Sequence, residues 1–420
     1  MTQKQAFKIL KSGKNVFLTG PAGSGKTFLL NQYIAYLKKK KIGVGITAST
    51  GIAATHIGGR TIHSWCGIEI KESLTPKYIQ KLQKRDYLKE QFKKVKVLII
   101  DEVSMLHSYR LDMVDEVCRA FLNPFMAFGG LQVVFSGDFF QLPPVTKFGE
   151  AENFVYAARA WREMELSICY LEEQYRQEDE ALLKILNAIR QNKVDREIKQ
   201  QVYTRVKAAR EEAAKPIKLF THRKSADDIN DYELSRIKEN PHEFSMTAEG
   251  EPHLIEELRK SCLAPERLEL KIGARVMFVK NKYQKERAVY INGTLGTVVD
   301  FDESNGNAPL VETDKGDFIN VEKEDWTIDD EDSILAKVSQ IPLRLAWAIT
   351  VHKSQGMSLS AAEMDLRSCF TYGMGYVALS RVRTLDGLHL LGINEKAFQV
   401  HPEIVEFDQK LRELSKGCLE

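Results

Sequence analysis

The chain carries almost no net charge. Sixty Lys and Arg stand against 58 Asp and Glu, which leaves +2 over 420 residues. That balance excludes a histone-like polycation and an acidic-tail protein, but not a basic groove inside a neutral total. Cysteine is sparse. The six present (Cys66, Cys118, Cys169, Cys262, Cys369, Cys418) form no CxxC pair and have no histidine at ligand spacing. A structural zinc site is therefore not expected, and dispersed thiols suit a reducing compartment. No apolar run approaches the length that crosses a bilayer. The opening MTQKQAFKILKSGKN lacks the apolar stretch of a secretory leader, so none is expected. Neither an internal repeat nor a low-complexity linker is visible. The expected setting is the cytosol or a bacterial nucleoid, or a nucleus if the source is eukaryotic.

What is present is an ordinary globular composition, 43% apolar and 28% charged, in a chain long enough for about three domain-sized units of roughly 150 residues. VFLTG (Val16 to Gly20), VKVLIIDE (Val95 to Glu102) and LQVVFSGD (Leu131 to Asp138) are short Val/Ile/Leu runs that end in polar residues, the pattern of central parallel strands. Helical patterns lie between them, such as TFLLNQYIAYLKKKK with its lysines at the C-terminal end, where the helix dipole favours cations. Residues 66–94 break this rhythm with a lysine-rich polar stretch and read as a small insertion. The α/β pattern restarts near 166, with EDEALLKILNAIRQN and IKLFTH (Ile217 to His222). GARVMFVKN, VYINGTLGTVVDF and the turn-rich ESNGN suggest short antiparallel strands, a small β-barrel. Two α/β domains, 1–165 interrupted by 66–94 and 166–420 interrupted by a barrel at 282–337, are the expected organisation.

GPAGSGKT fits GxxxxGK[ST] between a strand and a helix, the context that the phosphate-binding loop requires. Its residues Gly20, Pro21, Ala22, Gly23, Ser24, Gly25, Lys26 and Thr27 would turn backbone N–H groups towards a polyphosphate at a helix N-terminus. Lys26 would reach the β- and γ-phosphates of ATP, and the Thr27 hydroxyl would hold Mg²⁺. Asp101 and Glu102 end the VLII strand; the first would complete the Mg²⁺ shell and the second would orient or deprotonate the attacking water. In GDFFQLPPV, Gln141 is placed to sense the γ-phosphate or to position that water.

Further polar motifs lie beyond this site: GITASTGIAA, GGRTIHSW, LEEQYRQ, AITVHKSQG and YVALSRVRT. Together with the phosphate motifs they resemble the Pif-one family of superfamily-one DNA helicases. The segment from Arg110 to Val145 is similar to that family's own signature and separates it from RecD-like relatives. The resemblance covers nearly the whole chain, weakly in 66–94 and after about 395. It implies an α/β fold of two RecA-like P-loop motor domains, with ATP between them and single-stranded DNA across their top. The activity implied is an ATP-dependent, 5′-to-3′ DNA helicase acting in genome maintenance as a monomeric motor, on duplex or G-quadruplex junctions.

By position within the motifs, Arg176 and Arg381 would be the arginines of the second domain, and guanidinium forks suit the charge that develops on a transferred phosphoryl group. Gln355 and Gly356 resemble positions that touch nucleotide from the same side. Gln3 resembles the glutamine that reads adenine, although Gln5 is equally close in sequence. For DNA, Thr47, Ser49, Thr50 and Gly51 offer phosphate donors, and His63, Thr221, His222, Thr350, His352 and Lys353 extend them across both domains. Phe139 and Pro143 could pack against bases or sugars. His63 and His352 could equally be structural, and the lysines at 38–41 read as a solvated helix end. By resemblance, 66–94 would be the strand-separating wedge. A nucleotide-gated DNA-binding switch and an RNA translocase are the alternatives to a DNA helicase.

Overall fold

The computed structural model describes residues 1–68, 73–144, 153–177, 179–207, 216–221, 223–284, 287–290, 292–330 and 333–418. The three apolar runs of the first third become neighbours in one sheet. Its strands are all parallel, in the order Arg60–Thr61, Val44–Ala48, Val97–Asp101, Gln132–Gly137, Val16–Thr19 and Ser167–Tyr170. Val16 stands opposite Val134, and Val97 opposite Gln132. Strands covered on both faces need continuous apolar runs rather than alternation, and their C-terminal ends open the crevice where ligands of such sheets bind. The helix Lys26–Lys39 buries Leu29, Leu30, Tyr33, Ile34 and Leu37 and carries Lys38 and Lys39 in its last turn.

The second lobe repeats the scheme with four parallel strands, in the order Ala348–Thr350, Ile217–Phe220, Ala362–Leu366 and Leu388–Ile393. The helix Glu180–Arg190 precedes them, capped by Asp179, whose carboxylate accepts from the amides of Ala181 and Leu182. Its buried stripe is Leu182, Ile185, Leu186 and Ile189, and it ends on a charge, Arg190. The last helix, Pro402–Gly417, returns to the first lobe. There the Ser415 hydroxyl accepts from the Tyr170 amide at 3.1 Å, and Phe407 packs on Phe139 and Tyr156.

The polar stretch 66–94 contains the helices Pro76–Leu82 and Asp86–Lys94, which keep Lys77, Lys81, Lys89 and Lys93 outside while burying Leu82, Leu88 and Phe92. Phe92 sits between Trp65 and Phe121, at 5.0 and 4.5 Å between ring centroids. The antiparallel strands of the second insert run from His242–Ser245 to Leu343–Leu345, extending on both sides of 282–337. Their largest sheet has the order Phe318–Asn320, Ala308–Thr313, Leu295–Asp302, Arg275–Phe278 and Leu343–Leu345. It shelters a separate core that includes Val276, Phe278, Val298, Phe301 and Val311. The insert is tied to the first lobe where Glu257 Oε1 accepts from both the amide and the hydroxyl of Thr61, at 2.8 and 2.7 Å. No helix among the described residues is long and apolar enough to cross a membrane.

Candidate functional site

The loop Gly20 to Thr27 leaves the first central strand and enters the helix Lys26–Lys39. Gly23 and Gly25 have φ of +90° and +82°, conformations that a side chain resists. A Cβ on Gly25 would lie 2.2 Å from Gln3 Nε2, and one on Gly23 would lie 2.7 Å from Arg176 Cβ. Both partners therefore press on the loop. Lys26 Nζ donates to the carbonyls of Gly20 and Pro21 at 2.8 and 3.1 Å, so the ammonium spans the loop. Gln3 Nε2 donates to the Ser24 carbonyl at 3.4 Å. Gln5 is spent elsewhere, closing a capping box with Thr2, so of the two glutamines only Gln3 reaches the loop.

Asp101 ends its strand buried, and Glu102 follows in the left-handed region at φ 49°, ψ 40°. Such a conformation is uncommon for a residue other than glycine and marks a constrained position. Burial pushes the Asp101 carboxyl up from its ordinary value. Burial, and next the Asp101 charge, push Glu102 to about 7. Glu102 Oε2 is buried and has no hydrogen-bond partner among the described residues. Mg²⁺ takes few protein ligands, typically one or two carboxylates or a hydroxyl, and fills its shell with phosphate oxygens and water. A buried Asp101, an adjoining orphan carboxylate oxygen and the Thr27 hydroxyl at a helix start fit that requirement. No group of three or more His, Cys, Asp or Glu among the described residues forms an all-protein metal cage.

Two guanidinium groups meet at the seam, Arg176 from the segment that runs along the loop, where the Tyr175 amide donates to the Gly23 carbonyl at 3.0 Å, and Arg381 from the second lobe. Arg176 Nε donates to Ser358 Oγ at 2.9 Å, and its Nη1 donates to the Ser380 carbonyl at 3.3 Å. Arg381 is only 1% exposed and donates to the Val377 carbonyl at 2.8 Å, the Ser354 carbonyl at 3.2 Å and Ser380 Oγ at 2.7 Å. Neither forms an ion pair among the described residues. Burial pushes Arg176 down to about 10 and Arg381 well below its ordinary value, the latter lowered next by Arg176; the Glu102 charge acts on both in the opposite sense. Gln141 Nε2 donates to Asp138 at 3.3 Å, and Gln355 Nε2 reaches across from the second lobe to Gln141 Oε1 at 3.5 Å. The Gly356 carbonyl accepts from Arg176 Nη2 at 3.5 Å. The fold thus gathers Gln3, Lys26, Glu102, Gln141, Arg176, Gln355, Gly356 and Arg381 along one seam between the lobes.

The residues expected to face DNA divide. Ser49, Thr50 and Gly51 lie half-buried just past the strand Val44–Ala48, with Ser49 Oγ donating to the Glu102 carbonyl at 2.6 Å. Thr350, His352 and Lys353 follow the strand Ala348–Thr350; Thr350 is buried and its hydroxyl accepts from the Lys353 amide at 3.2 Å. Burial pushes His63 down to about 4, so its imidazole is neutral near pH 7, and lowers His352 as well. Pro143 is half-buried and Thr221 buried, while His222 lies outside the described residues. Two residues sit in the interior instead. The Thr47 hydroxyl is buried within the sheet and donates to the Ile99 carbonyl at 2.6 Å. Phe139 is a core ring packed by Phe17, Trp161, Phe154, Tyr156 and Phe407. Both flank functional motifs, but strand pleating and core packing turn them inward. A cavity of about 950 Å³ between the first lobe and the second insert is lined by Lys38, Arg60, Trp65, Glu251 and Ile334 among others, and by none of the nucleotide residues.

Sequence reasoning missed Asp138, Arg190, Tyr376 and His56. His56 Nε2 is 2.8 Å from Asn292 Nδ2 in the second insert, and its ring lies against Gly356. Asp138 and Tyr376 were within quoted motifs, and Arg190 had a signal of its own as the charged residue on an apolar helical stripe.

This arrangement, a phosphate loop in one parallel-sheet lobe faced by arginines from another, is that of a two-lobed P-loop motor. A family model described as PIF1-like helicase matches residues 1–198, and one described as DNA helicase Pif1, 2B domain, matches 253–301 within the second insert. The chain belongs to the PIF1 family of helicases. It is 39% identical to the ATP-dependent DNA helicase Pif1 of Psychrobacter sp. over 99% of this chain and 71% of that protein. Of the vertebrate relatives it spans less than two thirds. Bacteroides sp. Pif1 in complex with ADP-AlF4 superposes with a TM-score of 0.84 at 30% identity, covering 98% of this chain and 96% of that one. Bacteroides Pif1 bound to ssDNA gives 0.66 at 30% identity, covering 99% and 97%.

Proposed function

We propose that this protein is an ATP-dependent DNA helicase that moves 5′ to 3′ on single-stranded DNA and separates duplex ahead of it. The observation that carries the reading is a pair of carboxylate-free guanidinium groups at the lobe seam, half-buried Arg176 beside the phosphate loop and buried Arg381 on the second lobe. Unpaired buried cations are costly, and a triphosphate in the seam would supply the missing anion. The Pif1 relatives named ATP-dependent DNA helicases, and the Bacteroides structures with ADP-AlF4 and with ssDNA, support it.

In this mechanism the loop amides and Lys26 hold the phosphates, and Gln3 contacts the base. Thr27 and Asp101 would hold Mg²⁺, which would supply positive charge to neutralise the phosphates. Glu102 takes the proton of the attacking water, and Gln141 orients that water. Arg176 and Arg381 stabilise charge on the transferred phosphoryl group, so hydrolysis requires the lobes to close. Ser49, Thr50, Gly51, Thr350 and Lys353 hold the strand by its backbone, with His63 and His352 as hydrogen-bonding groups. Each cycle of closure and opening then shifts one lobe along the strand. With Ser167–Tyr170 paired in the first sheet, the division falls after residue 170 rather than between 165 and 166, and 66–94 is the separating wedge. Duplex and G-quadruplex junctions are the structures it would open in replication, recombination, repair and telomere upkeep.

Strand displacement from 5′-tailed and 3′-tailed duplexes tests the reading. Unwinding of the 5′-tailed substrate with ssDNA-stimulated ATP turnover is expected. Unwinding only from the 3′ tail, or turnover indifferent to DNA, would overturn it.

A further inference from the structure

One buried polar chain crosses the lobe seam through three side chains, Asp138, Arg190 and Tyr376, that are not among the phosphate or DNA contacts. Asp138, 1% exposed, follows the strand Gln132–Gly137 of the first lobe. Its carboxylate accepts from Gln141 Nε2 at 3.3 Å and, through both oxygens, from Arg190 Nη1 at 2.9 and 2.8 Å. Arg190, 4% exposed, comes from the second lobe and also donates from Nη1 to the Tyr376 phenol oxygen at 3.0 Å. That same oxygen accepts the Ala22 amide of the phosphate loop at 3.0 Å. The path therefore runs from Gln141 through Asp138, Arg190 and Tyr376 to Ala22, and both of its ends lie at the nucleotide site.

The chemistry of this path is directional. Two donors converge on the phenol oxygen, so Tyr376 acts as an acceptor that holds a loop amide in place. The Gln141 amide nitrogen is committed to Asp138, which leaves its carbonyl oxygen facing Gln355 and the seam. A carbonyl in that orientation can accept a hydrogen from water; a flipped amide could not. A buried ion pair such as Asp138–Arg190 is weak evidence for stability, because apolar packing would join the lobes as well. Its value lies in fixing one geometry. Tyr376 also shares the helix Met374–Leu379 with the turn that presents Arg381.

We propose that Tyr376 and Arg190 are positioning residues for ATP hydrolysis, registering the phosphate loop against Gln141 so that the water-orienting end of its amide faces the nucleotide. This rests on the reading of Gln141 given above.

The test uses the full chain with ATP and oligo-dT, comparing Tyr376→Phe, Gln141→Ala and the double variant. Tyr376→Phe keeps the ring and removes the acceptor. It is expected to lower kcat by about 10²-fold, the scale of a misplaced reacting group, with KM for ATP and ADP affinity within about twofold of the parent. The double variant is expected to be no slower than Gln141→Ala alone, because both changes act on one step. Arg190→Lys, which keeps a cation at Asp138 but loses the second guanidinium nitrogen that anchors the group on the Tyr170 phenol and Asp408, is expected to show the same kcat-selective loss, and it replaces Tyr376→Phe should that variant not fold. A normal kcat in Tyr376→Phe, or losses that multiply with those of Gln141→Ala, would overturn the proposal. Normal turnover in Gln141→Ala would instead remove the underlying role of Gln141.

Discussion

The nucleotide seam and the proposed strand surface are built on opposite electrostatics. Along the seam Lys26, Asp101, Glu102, Asp138, Arg190 and Arg381 act on one another at short range; burial shifts Lys26, Asp101, Glu102 and Arg381, while Asp138 and its neighbours hold Arg190 up against burial. On the other side the groups are mostly hydroxyls, backbone amides and imidazoles whose pKa burial lowers, with Lys353 as the charged exception. Charges in a low-dielectric interior interact strongly and can be tuned to one reaction. A strand that must be released at every step is better held by many modest, neutral contacts to a repeating backbone. In this proposal one chain carries a tuned site and a tolerant surface within two short parallel sheets.

The contrast can be broken most severely at the seam. Lys26→Ala removes the ammonium that spans the loop carbonyls; ATP turnover should be abolished while circular dichroism and thermal unfolding show the fold intact. Normal turnover would refute the phosphate-loop assignment. Arg381→Ala should leave nucleotide affinity near that of the parent and reduce kcat by about 10³-fold or more, the arginine-finger range. Collapse of affinity with little change in rate would make Arg381 a binding group.

A pH titration separates the two regions. Burial raises Glu102 to about 7, so its carboxylate is present above that value and lost as pH falls through it. kcat/KM for ATP should therefore fall about tenfold between its alkaline plateau and pH 6. Over the same range the contribution of His63 to ssDNA affinity should stay flat, because its imidazole, pushed down to about 4, remains uncharged. Affinity that climbs below pH 6.5 would show charged histidines on the strand. The smallest effect belongs to Lys353→Ala, which should weaken ssDNA a few-fold and reduce the salt dependence of binding by about 0.7 in log–log slope. An unchanged slope would take Lys353 off the phosphate path.

Much of this was legible beforehand. GPAGSGKT between a strand and a helix, and acids at the end of an apolar run, are local patterns whose geometry depends on neighbours in the chain. Other features needed distant partners. Which of Gln3 and Gln5 touches the loop follows from Thr2 claiming Gln5 for a helix cap. Phe139 and Thr47 face inward because of strand pleating and rings drawn from as far as Phe407. The lysine-rich composition of 66–94 concealed an apolar face that packs on Trp65 and Phe121.

Amino-acid order was sufficient for the phosphate loop, the acids that follow it and the alternation of strands and helices. These arise from backbone conformations allowed to glycine and from burial periodicity over a few residues. Folding in three dimensions settled the seam: Tyr376 meets the amide of Ala22, 354 positions away in the chain, and Arg190 meets Asp138 across the two lobes. A contact of that kind depends on how two sheets and a returning C-terminal helix pack together, and no short-range pattern encodes such packing.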